Sequence, residues 1–329
     1  MTSPSFAAPR RWPRSALSCL LLAAGVLPLP LLAAGSDTPP RPHQAPLTLD
    51  DILAGSQPQE WEPLDPDDTL YLELPAGRVV IKLAPDFAPR HIANIKALAR
   101  ERYYDGLAIV RAQDNYVVQL NDPDAADERT RRPIHHAART LPAEFSVDAA
   151  AIPFQPLPDP DVYAPQTGFS RGFAAARDPD QDQAWLTHCY AAVGVGRDLG
   201  IDSGGGPELY VVIGSAPRHL DRNVTLVGRV VQGIERLSTL PRGTGPYGMY
   251  TDPAQRTPIR ALRLAADLPA AERTTLETLR TDSPSFARLI EARRRPPGDW
   301  FAYRAGRADI CNIPIPARPI RAVPATAAP

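Results

Sequence analysis

The chain has 329 residues, with 36 Lys and Arg against 37 Asp and Glu and a formal charge of −1. With the arginines scattered and lysine confined to Lys82 and Lys96, no basic surface stands out for nucleic acid or an anionic membrane. The length suits one large domain with appendages, or two small ones.

Residues 1–34 read as a secretory signal. Arg10, Arg11 and Arg14 precede a nearly uncharged apolar run over residues 15–34, and Leu32-Ala33-Ala34 before Gly35-Ser36 offers a cleavage site. Pro28 and Pro30 would spoil a spanning helix, so the expectation is a periplasmic mature chain without stable membrane insertion. Losing three arginines and no acid takes its formal charge from −1 to about −4. A retained anchor is the alternative the run length leaves open, whereas the residues before Cys19 make a poor lipoprotein signal.

Residues 35–66 are expected to be a flexible N-terminal segment. Its start, 35–46, is polar and proline-rich; residues 47–53 suit a short helix begun by Thr48 or Asp50, and 63–68 a turn-rich entry to the first strand. Two apolar runs, 70–74 and 78–83, flank Pro75-Ala76-Gly77 and predict a hairpin. Pro89 followed by Ile92, Ile95, Leu98 and Ala99 predicts an amphipathic helix ending near Arg102. Strands are predicted over 107–111 and 116–120. Residues 121–189, rich in proline and aspartate, are expected to be mostly long loops. Strands return at 190–196, 208–214, 225–231 and 259–264. In the tail, 269–280 and 285–295 suit two helices, capped by Asp267 and by Asp282 or Ser283.

Cys189 and Cys311 are the only cysteines beyond the signal. In an oxidising compartment, two thiols so far apart are better read as a disulfide than as a metal or redox pair. His135, His136, His188 and Cys189 raise the question of a hydrolase or metalloenzyme. Adjacent histidines point to opposite sides of a strand, and no carboxylate at ligand spacing accompanies them, so loop surface is the better reading and no metal is assigned.

Ala88-Pro89, Asn94, Leu98, Tyr104-Asp105-Gly106, Arg111, Tyr116 and Gln119 follow one another at spacings that resemble the cyclophilins. So do Pro142-Ala143-Glu144-Phe145, Val195-Gly196-Arg197, Glu208-Leu209-Tyr210, Leu220-Asp221 and Val227-Gly228-Arg229. The resemblance runs over about 70–264. It implies a mainly β protein: a closed eight-stranded antiparallel barrel with two plugging helices across 67–265, interrupted by an insertion near 146–189. Residues 266–329 would then form a C-terminal helical extension.

The resemblance also implies peptidyl-prolyl cis/trans isomerisation. Rotation about a prolyl bond is opposed by resonance, a barrier of roughly 18 to 20 kcal/mol, but breaks no bond, so no nucleophile or cofactor is needed. A pocket for the ring and a donor for the nitrogen of the twisted bond suffice, and arginine, permanently charged with N–H groups in a rigid plane, suits the donor role. By resemblance Arg111 is that donor and Gln119 positions substrate or arginine. Tyr116, Val117, Tyr210 and Leu220 would wall the proline pocket, while backbone groups of Gly196 and Arg197 would pair with the substrate chain. Partners would be proline-containing polypeptides, met by a monomer.

Several positions depart from the family pattern. Val110 replaces a histidine, Leu120 and Asn121 replace glycines, and Glu208 replaces a glutamine, bringing a negative charge close to Arg111 that either pairs with it or competes for it. His219 and Val224 stand where eukaryotic members carry tryptophan and histidine, which predicts weak binding of cyclic-peptide drugs. The insertion is placed to cover part of the groove. The alternative is a degenerate member that binds extended segments as a chaperone or scaffold without turning them over.

Overall fold

The computed structural model describes residues 47–320. The expected signal, the tether up to residue 46 and Cys19 lie outside them. No helix among the described residues is long and apolar enough to cross a membrane.

The architecture is mainly β, built on a curled antiparallel sheet of nine strands. In spatial order these are Thr257–Pro258, Ala108–Ala112, Val117–Asn121, Leu209–Val212, Ala192–Val195, Leu226–Gln232, Gly77–Leu83, Thr69–Leu74 and Ala261–Leu264. The expected closed eight-stranded barrel is thus replaced by a nine-stranded half-barrel whose ladder has two ends. Both edge strands come from one short stretch, 257–264, and are separated by Ile259 and Arg260. A single short segment that turns between its two partners supplies two strands, which a count of apolar runs registers as one.

Side-chain alternation builds the core. Leu70 and Leu72 stand opposite Ile81 and Val79 across the first hairpin, and these four are buried inside the curl together with Leu74 and Leu83. The helix Pro89–Arg100 closes over them with Ile92, Ile95, Leu98 and Ala99, its proline at a position where the missing N–H is unneeded. Of the two plugging helices only this one is substantial. The second, Glu235–Ser238, is a single turn that buries Leu237.

Residues 122–146 form the expected long loop, but the stretch after it also carries regular structure. Five strands from Val147–Asp148 to Gln183–Leu186 form a separate antiparallel sheet. Its Phe173, Ala175, Ala184 and Leu186 pack on the outer face of the main sheet against Val117, Ala192, Tyr210, Val212 and Leu226. Short, alanine-rich strands with aspartate turns hide the apolar period that would have exposed them.

The segment 47–66, placed within the flexible N-terminal stretch, is structured, and the short helix expected at its start is present. Leu49–Ala54 is a helix, with Thr48 and Asp51 forming a reciprocal cap, and Trp61–Pro63 is a strand. That strand pairs with Leu276–Leu279, which in turn pairs with Ala317–Pro319. The tail is therefore mixed rather than helical. Pro284–Arg294 is a helix capped by Ser283, whereas the expected helix over 269–280 gives one 3-10 turn and the strand Leu276–Leu279. All four residues of that strand are buried between two partners, and a ladder on both sides outweighs local helix propensity. Ile52, Trp61, Phe286, Leu289 and Ile313 knit these pieces into one cluster, beside which Cys189 and Cys311 are joined by a disulfide.

Candidate active site

Strand alternation and one irregularity create the site. Along Val117–Asn121, Val118 and Leu120 enter the main core while Val117 and Gln119 face outward. Along Leu209–Val212, Leu209 and Val211 go inward and Tyr210 outward. The strand Ala108–Ala112 would present Arg111 to the inside by the same count. However, its pairing steps from Ile109 opposite Leu120 to Arg111 opposite Gln119, so Val110 is an extra residue. This bulge keeps Ile109 and Ala112 in the core and turns Arg111 outward. Arg111, Gln119, Tyr210 and Gly194 then stand in one row across four strands.

A groove of about 300 Å³ runs over this row. Its lining holds every site residue named from the sequence: Arg111, Tyr116, Val117, Gln119, Gly196, Arg197, Glu208, Tyr210 and Leu220, with Val224 in addition. No residue of the insertion lines it. The second sheet supports the groove from the side and does not cover it.

Arg111 is half-buried and held at three points. Nε donates to the Tyr247 carbonyl at 2.6 Å, one terminal nitrogen to Gln119 Oε1 at 2.9 Å, and the other to the side-chain oxygen of Gln113. A guanidinium has five N–H groups, so two remain for a ligand. The Tyr116 ring lies 5.5 Å from the guanidinium carbon, near enough for a cation–π contribution. Burial lowers the Arg111 pKa, while Tyr116 and Glu208 oppose that shift.

Glu208 neither pairs with Arg111 nor takes it away. Gln119 stands between them, its amide oxygen on the arginine and its amide nitrogen on Glu208 Oε1. The other carboxylate oxygen accepts from Asn121 Nδ2 at 2.6 Å. Burial raises the Glu208 pKa, and the hydrogen bond from Gln119 counters this. Glu208 also explains Gly196: a Cβ there would collide with its carboxylate, as one on Gly194 would with the Tyr210 ring.

Arg197 is turned to the backbone, donating to the carbonyls of Asn223 at 2.8 Å and Asp198 at 2.7 Å. The Gly196 N–H is already bonded to the Glu208 carbonyl.

Beneath Tyr210 lies a polar chain that sequence reasoning missed. The Tyr210 hydroxyl is 2.8 Å from His188 Nε2, and His188 Nδ1 is 2.8 Å from Asp221 Oδ1. Because a carboxylate only accepts, Nδ1 carries the proton and Nε2 accepts from the tyrosine. Arg218 donates to Asp221 at 2.5 Å and to both oxygens of Asp161 at 3.0 Å. Against its burial, the two aspartates hold the Arg218 pKa above its ordinary value, and burial pushes that of Tyr210 far up. Only a tyrosine where cyclophilins have phenylalanine hinted at this in the sequence.

His188 and Cys189 are thus engaged elsewhere, which removes them from any hydrolase or metal reading. His135 and His136 are exposed, their backbone N–H groups donating to Glu101. Among the described residues, no group of three or more His, Cys, Asp or Glu side chains is arranged to hold a metal ion.

The family model described as "Cyclophilin type peptidyl-prolyl cis-trans isomerase/CLD" matches residues 69–263, more than half of the chain. The chain is a member of the cyclophilin family. A "Probable peptidyl-prolyl cis-trans isomerase" of Brucella suis is 43% identical over 58 residues, which cover 18% of this chain and 30% of that protein. The human "Peptidyl-prolyl cis-trans isomerase-like 1" is 32% identical over 71 residues, covering 22% and 40%. The matched stretches thus span less than half the length of these relatives. Among solved structures, cyclophilin AquaCyp293 from Hirschia baltica superposes with a TM-score of 0.64 at 24% identity, covering 83% of this chain and 97% of that one. That coverage is larger than the share matched by the family model, so the shared fold extends beyond residues 69–263.

Proposed function

We propose that this cyclophilin-family chain is a peptidyl-prolyl cis/trans isomerase that acts on X-Pro bonds of exported polypeptides and assists their folding. The observation that carries this reading is Arg111, bulged outward beside an apolar hollow with two N–H groups uncommitted.

The proline ring would rest on Tyr116, Val117, Tyr210 and Leu220. As the bond twists, conjugation is lost and the nitrogen lone pair becomes an acceptor, which a free N–H of Arg111 meets. That bond is stronger in the twisted state than in either planar one, so it lowers the barrier rather than merely holding substrate. Gln119 orients the guanidinium, and Glu208, one amide away, keeps Gln119 from turning over. Nothing in this scheme requires a metal or cofactor. The apolar run after the N-terminal arginines supports export to the periplasm, and the acidic balance of the remaining chain supports polypeptide clients rather than nucleic acid. Monomeric action fits a groove built from a single chain.

A coupled assay on a short Ala-Pro peptide tests the activity. Arg111→Ala is expected to lower kcat/KM by about 100- to 1,000-fold, the usual effect of losing one transition-state donor. A wild-type rate equal to buffer, or one untouched by the substitution, would refute the reading. Fractionating cells that express the full chain, with detection of the shortened form, tests the export.

A further inference from the structure

A second cavity, of about 380 Å³, opens where the tail returns past the disulfide. It is larger than the proline groove and shares no lining residue with it. One wall is Phe173, Leu186 and Leu226; the other is Ile310, Ile313 and Ile315. Its charged lining residues are Arg229 and Arg293, and no aspartate or glutamate is among them.

Arg229 is the unusual residue. Its Nε donates to the Gly172 carbonyl at 2.9 Å, but among the described residues no carboxylate comes within salt-bridge distance, and the buried Nη2 has no partner. Burial alone brings its pKa down to about 10. Nearby Lys82 is also shifted down, first by burial and then partly by the Arg229 charge, although Glu62 compensates. A buried guanidinium without a counter-charge is unfavourable unless something anionic pairs with it. By contrast, buried Arg218 has two aspartates, and Arg294 has Asp159.

We propose that this cavity is a second ligand site and takes a small amphipathic carboxylate, its chain among the isoleucines and its head group on Arg229. The volume lies within the range of small-molecule sites, which are mostly apolar with a few polar anchors. A guanidinium suits a carboxylate because it offers two parallel N–H groups. Arg293, exposed at the rim, adds attraction without specifying geometry. The site is independent of the isomerase reading: its ligand touches neither Arg111 nor Gln119.

Decanoate and decan-1-ol, which share a tail and differ in charge, are suitable probes by calorimetry and by amide NMR on the full chain. Decanoate is expected to bind saturably and to shift the amides of Ala191, Asn312 and Ile313 while leaving Gly196 and Arg197 unmoved. Decanol should bind about ten-fold or more weakly, as expected for losing a charge-assisted hydrogen bond. Arg229→Gln should remove that difference, and Arg293→Ala should reduce it slightly. Equal affinity for the two probes, shifts at the proline groove instead, or no saturation of the wild-type protein would each overturn the proposal, and all three are read without any variant.

Discussion

Asn121 donates to Glu208 at 2.6 Å, and both residues depart from the cyclophilin pattern. A glutamine at 208 would be neutral and a glycine at 121 would offer no side chain, so the two changes are complementary: the added charge receives an added donor. Removing the donor while the charge stays should therefore be harmful. Asn121→Gly is expected to destabilise the protein by about 1 to 3 kcal/mol, by leaving a carboxylate oxygen short of its donor. Urea unfolding of Asn121→Gly, Glu208→Gln and the double variant forms a thermodynamic cycle. Strict additivity would show that the pair is not coupled.

Glu208 also sets a pH dependence. Its pKa lies above the ordinary carboxylate value because burial disfavours the charge, so the folded state binds a proton more readily than the unfolded chain. Its contribution to stability is fully present below the ordinary glutamate pKa and is lost as pH rises through the higher folded value. Replacing it with a neutral isostere should remove this loss. Glu208→Gln is expected to raise Tm relative to the parent more at pH 7 than at pH 4. A difference that is flat in pH, or larger at pH 4, contradicts the assignment.

Tyr210→Phe would restore the family residue and still be expected to weaken the protein. The ring would stay as a wall of the groove, but His188 Nε2 would lose its donor in a fully buried site. An unsatisfied buried acceptor costs about 1 to 3 kcal/mol. Because no group facing the substrate nitrogen changes, kcat should hold to within about two-fold, less than the effect of any one transition-state contact. Thermal melts and the peptide assay separate the two effects; unchanged stability would mean that the hydrogen bond contributes nothing.

The legible part of the sequence was the part governed by short-range rules. Alternation in residues 69–83, helical spacing from Pro89 to Ala99 and the order of family residues around Arg111 gave the mainly β fold and the composition of one groove. What remained hidden depended on partners distant in the chain. Leu276–Leu279 reads as helix until Trp61–Pro63 and Ala317–Pro319 flank it. His188 reads as loop surface until Tyr210 and Asp221 close around it. The bulge at Val110 is a property of pairing with Val117–Asn121 and leaves no mark in its own strand.

The bond between Cys189 and Cys311 spans 122 residues of chain and ties the loop entering the Ala192–Val195 strand to the tail. Closing so long a loop restricts the unfolded chain, and its removal should lower stability by about 2 to 5 kcal/mol. For a protein of this size that corresponds to a Tm lower by roughly 5 to 15 °C. The groove contains neither cysteine, so isomerase activity at 25 °C should survive the loss. The two expectations pull apart in one experiment: melts and peptide assays on the oxidised protein, the reduced protein and the Cys189→Ser/Cys311→Ser variant. A Tm insensitive to reduction would show that the tail is held by its own packing through Phe286, Leu289 and Ile313, with the covalent link adding nothing measurable.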